Sequence, residues 1–251
     1  YTYTAIGSRE SVALPNGTKT SYEYETLNRL KKVNNLNAAD QVLSSYVYTL
    51  TPNGRRTGIA ETRLEESGAA STTNITYGYD GLNRLVSESS VSSVANLSFG
   101  KQYVYDLVGN RLNRVTTGEK AETATYSYNS NDQLITETAV AQEGTNTTSY
   151  GYDSNGSLAT KTKVGPDPES TSYSYSLENK LAGATIARRE SGRNVAITSS
   201  YAYNQSGIRT RATSTASVNG GPQNTTDRVF LVDAANHTGY AQVLEEAPGG
   251  A

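Results

Sequence analysis

A tyrosine pair that recurs along the whole chain constrains the fold more than any other feature. The frame Tyr-x-Tyr occurs nine times, at intervals of 21 to 31 residues, and uses eighteen of the nineteen tyrosines. Alternate residues of a β-strand project to the same face, so both rings of a pair lie on one side of a strand. A fixed recurrence of this kind predicts a repeat architecture. The frame tyrosines are Tyr1, Tyr3, Tyr22, Tyr24, Tyr46, Tyr48, Tyr77, Tyr79, Tyr103, Tyr105, Tyr126, Tyr128, Tyr150, Tyr152, Tyr173, Tyr175, Tyr201 and Tyr203.

A turn signature follows the pairs. An aspartate or asparagine often comes next, and its side chain can bond nearby backbone and start a turn. Glycine or asparagine comes three residues later, where the reversal needs a positive φ. One repeat is then one hairpin plus a connecting loop, and long spacings such as Thr57 to Thr76 are expected to be loop insertions. The turn residues predicted in this way are Asp80, Asp106, Gly109, Asp153, Gly156 and Gly207.

The repeats must stack on one another to be stable. A single hairpin buries too little apolar surface to offset the ordering of its own residues, although the whole chain is long enough to bury a sizeable core. We therefore expect an all-β fold, with tandem β-hairpin repeats wound into a spiral sheet or β-solenoid. Residues 1–218 are predicted to be the repeat array. Residues 219–251 are predicted to be a post-repeat strand segment continuous with the same sheet.

The composition excludes several classes of function. The chain has no cysteine, so disulfides and thiolate metal sites are unavailable. No apolar stretch reaches the ~18 residues of a membrane-spanning helix. The net charge of −2 and the scattered basic residues do not indicate electrostatic binding of nucleic acid. Because methionine is also absent, we expect the chain to be a piece of a longer polypeptide whose targeting signals lie outside it.

The titratable residues do not form an evident catalytic set. The single histidine, His237, lies in Ala-Asn-His-Thr-Gly and is interpreted as a solvated loop residue. Asn129 and Asn204 replace the frame aspartates elsewhere, which a turn tolerates and a general acid-base pair does not. The Gly-Gly-x-Gly-x-Asp repeat of calcium-binding β-rolls is absent. We predict no enzyme activity, no catalytic residue, no cofactor and no metal.

Arginines recur near the turns, at Arg29, Arg84 and Arg111. They could bind anionic sugars in a row. They could instead stack on, or bond to, the tyrosines of the next repeat, and this second interpretation is favoured.

Two segments, 77–85 and 103–112, resemble the signature of the YD-repeat or Rhs-repeat proteins, and the resemblance extends from Tyr1 to about Ala212. Residues 228–246 resemble the strand region that follows the last repeats in bacterial members. The resemblance implies a spiral β-sheet. In Rhs polymorphic toxins and the C component of Tc toxins such a sheet closes into a hollow shell around a C-terminal toxin, and teneurins use a similar barrel. The Asp-Pro-x-Gly-Arg-type self-cleavage segment of that family has no counterpart here, and nine repeats are fewer than the large shells contain.

The leading functional prediction is a non-catalytic structural segment of a large secreted bacterial protein, extracellular or at the cell surface. This segment would form the wall of a β-shell or spiral that encloses or carries a C-terminal effector. The predicted partners are other segments of the same polypeptide, an enclosed toxin or effector, and further copies through sheet edges. No nucleic acid and no membrane span are expected. The alternative is an extracellular adhesive or glycan-binding fibre, or a self-assembling β-filament.

Overall fold

The computed structural model describes residues 1–233 and 242–249. These residues form twenty β-strands and, within those ranges, no helix. The prediction of an all-β fold built from tandem hairpins is confirmed. The strands are β1 (Thr2–Tyr3), β2 (Arg9–Ala13), β3 (Lys19–Tyr24), β4 (Leu30–Leu36), β5 (Val42–Leu50), β6 (Arg56–Leu64), β7 (Ala70–Tyr79), β8 (Leu85–Ser92), β9 (Phe99–Tyr105), β10 (Arg111–Gly118), β11 (Glu122–Tyr128), β12 (Leu134–Ala141), β13 (Gly144–Tyr152), β14 (Leu158–Val164), β15 (Glu169–Tyr175), β16 (Leu181–Glu190), β17 (Arg193–Tyr203), β18 (Arg209–Val218), β19 (Asn224–Asp233) and β20 (Gln242–Pro248).

The chain divides into two compact units, Tyr1–Ala124 and Thr125–Ala251. In the first unit, each strand from β1 to β10 pairs antiparallel with the next one along the chain. The strands therefore form a meander, and the reversals that follow the tyrosine pairs all lie at the same end of the strands. This is the arrangement expected when each repeat contributes one hairpin.

The second unit repeats this arrangement from β12 to β20. β19 pairs with β18 in a register that places Arg211 opposite Val229, and β20 pairs with β19. Strands of the segment after residue 219 thus extend the sheet of this unit. The division of the chain at residue 219 stays a prediction.

The long spacing between the third and fourth tyrosine pairs is not a loop insertion, so that expectation was wrong. Of the residues 57–76, only five lie between the end of β6 at Leu64 and the start of β7 at Ala70. The extra residues lengthen both strands of one hairpin. Because a longer ladder pairs the added backbone groups with each other, it leaves fewer of them unsatisfied than a long loop would. A tight turn at Pro15–Gly17 joins β2 to β3, with the Leu14 N–H donating to the Thr18 carbonyl at 2.9 Å.

Few side chains are deeply buried. Among the residues whose exposure is described, the buried apolar side chains are Ala124 and Tyr126, at 0% and 7% exposure. Ser90, Thr148 and Thr171 are buried polar residues. The described residues therefore form no sizeable apolar core, although the chain is long enough for one. Strand pairing and cross-strand side-chain contacts must carry much of the stability.

Candidate functional site: the repeated tyrosine and turn frame

The nine turns that follow the tyrosine pairs share one backbone pattern, and we call them the frame turns. In the turn after Tyr79, the Asp80 N–H donates to the Arg84 carbonyl at 3.0 Å, and the Asn83 N–H donates to the Asp80 carbonyl at 3.0 Å. Asn83 has a φ of 65°. The register shifts by one residue just before the turn, between Gly78 and Tyr79. This is a type I turn closed by a left-handed residue and a β-bulge.

Glycine occupies the left-handed place in several other frame turns. Gly109, Gly156 and Gly207 have φ values of 102°, 82° and 73°. An L-amino acid with a Cβ adopts such a backbone only at a cost, which asparagine and aspartate bear most easily. Asp132 has a φ of 58° in the frame turn that begins at Asn129.

The frame aspartates hold the turn backbone. Oδ1 of Asp80 accepts hydrogen bonds from the N–H groups of Leu82 and Arg84, both at 2.9 Å, and Oδ2 accepts one from Nε of Arg84 at 2.6 Å. The Arg84 backbone N–H, followed by its guanidinium, holds the pKa of the Asp80 carboxyl below its usual value. Asp106 and Asp153 cap the backbone N–H groups of their own turns in the same way. These carboxylates serve as acceptors, which is the chemistry of a turn cap.

The second tyrosine of most pairs bonds to the repeat before it. Its hydroxyl donates to the backbone carbonyl of the residue that opens the preceding return strand, at 2.8 to 3.0 Å. Nothing in the sequence pattern indicated this acceptor, because a backbone carbonyl carries no residue signature. The six bonds run from Tyr24 to Arg9, Tyr79 to Arg56, Tyr105 to Leu85, Tyr152 to Leu134, Tyr175 to Leu158 and Tyr203 to Leu181.

A second set of bonds joins six of the frame turns to the frame turn that follows, and we call them the turn ties. The donor is the last turn residue, directly before the return strand. Arg84 Nη1 donates to the Asp106 carbonyl at 2.8 Å, and Gln133 Nε2 donates to the Gly156 carbonyl at 3.3 Å. The other ties run from Ser8 to Asn28, from Arg29 to Thr51 and Pro52, from Arg55 to Asn83, and from Ser157 to Asn179.

Arginines also stack on the tyrosine rings. Arg84 lies over the ring of Tyr105 in the next repeat, 5.0 Å from its centroid. Arg111 lies over Tyr103 of its own repeat at 5.9 Å. Arg29 instead bonds the next turn and pairs with Glu25. Of the three arginines, Arg84 thus fits the favoured interpretation. Arg111 stacks within its own repeat and, because it opens β10, is not equivalent to Arg84. An arginine over a ring covers the face on which a sugar would stack.

One tyrosine pair is displaced by two residues. The frame turn after Tyr46 and Tyr48 begins at Thr51, so Leu50 occupies the strand-end place that a second tyrosine holds elsewhere. Tyr48 takes the place of a first tyrosine, with Arg56 over its ring at 4.2 Å. Counting back from the turn would have revealed this offset in the sequence.

Charged residues interrupt the tyrosine face. Glu88 lies opposite Tyr77 and pairs with Lys101 at 3.4 Å. In the second unit, the Tyr150 hydroxyl donates to Oε2 of Glu137 at 3.3 Å. Desolvation, followed by the nearby Glu137 carboxylate, raises the pKa of Tyr150 to about 12.

The remaining predictions concern the single histidine, metal ligands and membrane-spanning helices. His237 lies outside the described residues, so its role as a solvated loop residue stays a prediction. Within residues 1–233 and 242–249, no three histidine or acidic side chains converge as metal ligands would. No helix in the same ranges is long and apolar enough to cross a membrane.

Comparisons with known proteins give similarity only at the level of solved structures. No family model matches the chain, and no curated protein is similar to it. It is similar to the crystal structure of TcdB2-TccC3-TEV, with a TM-score of 0.49 and 16% identity over 92% of this chain and 14% of that one. For the Photorhabdus luminescens Tc holotoxin pore, the TM-score is 0.44 and the identity 15%, over 98% of this chain and 14% of that one. For a porin-like protein from Bacteroides uniformis ATCC 8492, the TM-score is 0.40 and the identity 11%, over 86% of this chain and 96% of that one.

This chain spans 14% of the length of each Tc toxin chain it matches. What the fold and the frame define is an all-β array of tandem hairpins, in which tyrosine hydroxyls and turn ties join neighbouring repeats within each unit.

Proposed function

We propose that this chain is a non-catalytic wall segment of a large secreted bacterial YD-repeat protein, and that the wall encloses or carries a C-terminal effector. The observation that carries the proposal is the hydroxyl of the second tyrosine bonding to the preceding repeat in six places. A hydrogen bond from one repeat to the preceding repeat can recur along any number of repeats. It serves to extend a sheet.

The polar residues of the frame support the same function. The carboxylates of Asp80, Asp106 and Asp153 are engaged by turn backbone, and the guanidinium of Arg84 is engaged by the next turn and a tyrosine ring. Groups committed in this way are held in one rotamer, which suits a scaffold. The proposals of an enclosed effector and of a secreted protein rest on the sequence resemblance to the Rhs repeats.

Limited proteolysis of the intact parent protein tests the enclosure. We expect the region that follows this segment to resist protease in the native parent. A double variant, Tyr152→Phe with Tyr175→Phe, removes two neighbouring bonds between repeats and should speed its cleavage. Tyr48→Phe is the control, because Leu50 and not Tyr48 holds the strand-end place in that repeat. Cleavage of the following region at the same rate in the native parent and in isolation would refute the enclosure.

A further inference from the structure

Each frame turn of the first unit carries an exposed aliphatic or proline side chain at its tip. The five aliphatic tip side chains are each at least 67% exposed, and Leu107 is fully exposed. Aliphatic side chains at the most exposed points of a protein are unusual when they stand in a row. The tip residues are Ile6, Leu27, Pro52, Leu82, and the adjacent Leu107 and Val108.

The turn itself does not require an apolar tip. In the second unit, the frame turns that begin at Asn129, Asp153 and Asn204 have the same backbone bonds, yet their tips are Ser-Asn, Ser-Asn and Gln-Ser. Leu177 is the apolar tip in that unit. The apolar tips of the first unit are therefore a property added to a turn that folds equally well with polar ones.

The turn ties hold these tips at a regular spacing. Ser8, Arg29, Arg55 and Arg84 each donate to the next frame turn of the first unit. Successive tips are two strands apart, which is roughly 9.5 Å at the usual distance between strands. A row fixed before binding loses little conformational freedom when a partner docks.

A partner for this row must offer contacts with the same period of roughly 9.5 Å. The same edge of a second copy does so by identity, with each tip facing a tip of the other copy. Each of two turns also carries an acid and a base, Glu25 with Arg29 and Asp80 with Arg84, so two such edges do not repel each other. We propose that the frame-turn edge of the first unit is a self-association surface, on which two copies of this chain meet about a two-fold axis near the middle tip, Pro52. Such an interface is isologous.

Sedimentation velocity over a range of concentrations tests this surface with the whole 251-residue chain. We expect reversible dimers, and at least tenfold weaker dimerisation when Leu27, Leu82 and Leu107 are all replaced by serine. The serine tips of the second unit show that such turns still fold, and circular dichroism should be unchanged. Leu177→Ser in the second unit is the matched control and should leave dimerisation unchanged. A wild-type chain that stays monomeric up to about 100 µM overturns the proposal, and so does equal dimerisation of the triple variant, which would point to sheet edges instead.

A cysteine placed at the proposed axis gives an independent test, because the chain has none of its own. Under mild oxidation, Pro52→Cys should give a disulfide-linked dimer, since the two copies bring this position close to itself. Asn155→Cys, at a tip of the second unit, is the control and should remain uncrosslinked. Equal crosslinking of the two variants would contradict an interface centred on Pro52.

Discussion

The hydroxyl of Tyr105, at the end of β9, donates a 2.8 Å hydrogen bond to the backbone carbonyl of Leu85, at the start of β8. The bond crosses from one repeat to the repeat before it. Five other tyrosines make the equivalent bond. The first residue of a strand, next to the β-bulge, has a carbonyl lone pair available, and the tyrosine hydroxyl donates to it. This relationship gives the recurrence of the second tyrosine a physical reason.

Replacing Tyr105 by phenylalanine tests the strength of that bond. The ring and its stacking with Arg84 remain, while the donor to the Leu85 carbonyl is lost. Because a typical net hydrogen bond contributes about 0.5–1.5 kcal/mol, we expect the free energy of unfolding to fall by about 1 kcal/mol. Equilibrium denaturation in urea measures it.

Tyr48→Phe is the matched control for this variant, since Tyr48 stands in the place of a first tyrosine. Its unfolding midpoint should move less than that of Tyr105→Phe. Equal losses in the two variants would show that the carbonyl bond contributes nothing specific.

The left-handed turn position predicts opposite effects at two glycines. A Cβ at Gly109 meets no atom within 4 Å, but its φ of 102° strains any other residue. Gly109→Ala should therefore destabilise the chain by about 1–2 kcal/mol. Gly109→Asn should cost less, because Asn83 holds the same place with a φ of 65°.

Gly81 provides the contrast within a frame turn. A Cβ there also meets open space, and its φ lies outside the left-handed region. Gly81→Ala should be neutral or stabilise by about 0.4–1 kcal/mol through the unfolded chain. Thermal unfolding of both alanine variants measures this difference, and a loss at Gly81 as large as that at Gly109 would argue against the φ explanation.

The turn tie at Arg84 should tolerate glutamine better than alanine. Gln133 occupies the equivalent place in another repeat and donates to the next turn at 3.3 Å. Arg84→Ala removes both the tie to Asp106 and the bond to Asp80, and we expect a loss of roughly 1 kcal/mol at this partly exposed site. Amide hydrogen exchange of residues 106–110 should rise with alanine and much less with glutamine. Equal exchange in the two variants would mean that the tie does not order the next turn.

The Tyr150 phenol predicts a loss of stability at high pH. Its pKa is raised to about 12 in the folded chain, compared with about 10 for an exposed tyrosine. A raised pKa means that the folded state favours the protonated form. The resulting stability is complete below pH 10 and is lost as the pH rises from about 10 to 12.

Glu137→Gln removes the neighbouring carboxylate that contributes to this shift. The tyrosinate absorbance of this variant should titrate at a lower pH than that of the wild type, while desolvation keeps it above 10. An unchanged titration would show that Glu137 does not act on Tyr150.

The residue pattern predicts the hairpins well because the frame encodes local structure. Alternating tyrosines specify a strand face, and Asp80 followed by Asn83 specifies a turn whose bonds lie within five residues. Contacts between repeats are harder to predict. The acceptor for Tyr105 is a carbonyl with no residue identity, and the tie from Arg84 ends on another carbonyl.

The errors arose where strand length and register decide the outcome. The spacing that predicted a loop between Thr57 and Thr76 lengthens two strands instead, since a paired ladder and a loop can have the same composition here. Arg111 was grouped with Arg84 as a recurring arginine, whereas the left-handed Gly109 shows that Asn110 is the true equivalent. Positive φ is a more reliable marker of register than the arginine.

Electron microscopy of the intact parent protein, at a resolution that traces strands, tests the central claim most directly. The account predicts that residues 1–233 form part of a continuous wall of hairpins, with the frame turns aligned along one edge and density for another part of the chain on one side of the wall. A parent in which this segment forms an extended or polymeric array with nothing enclosed would contradict the proposed function.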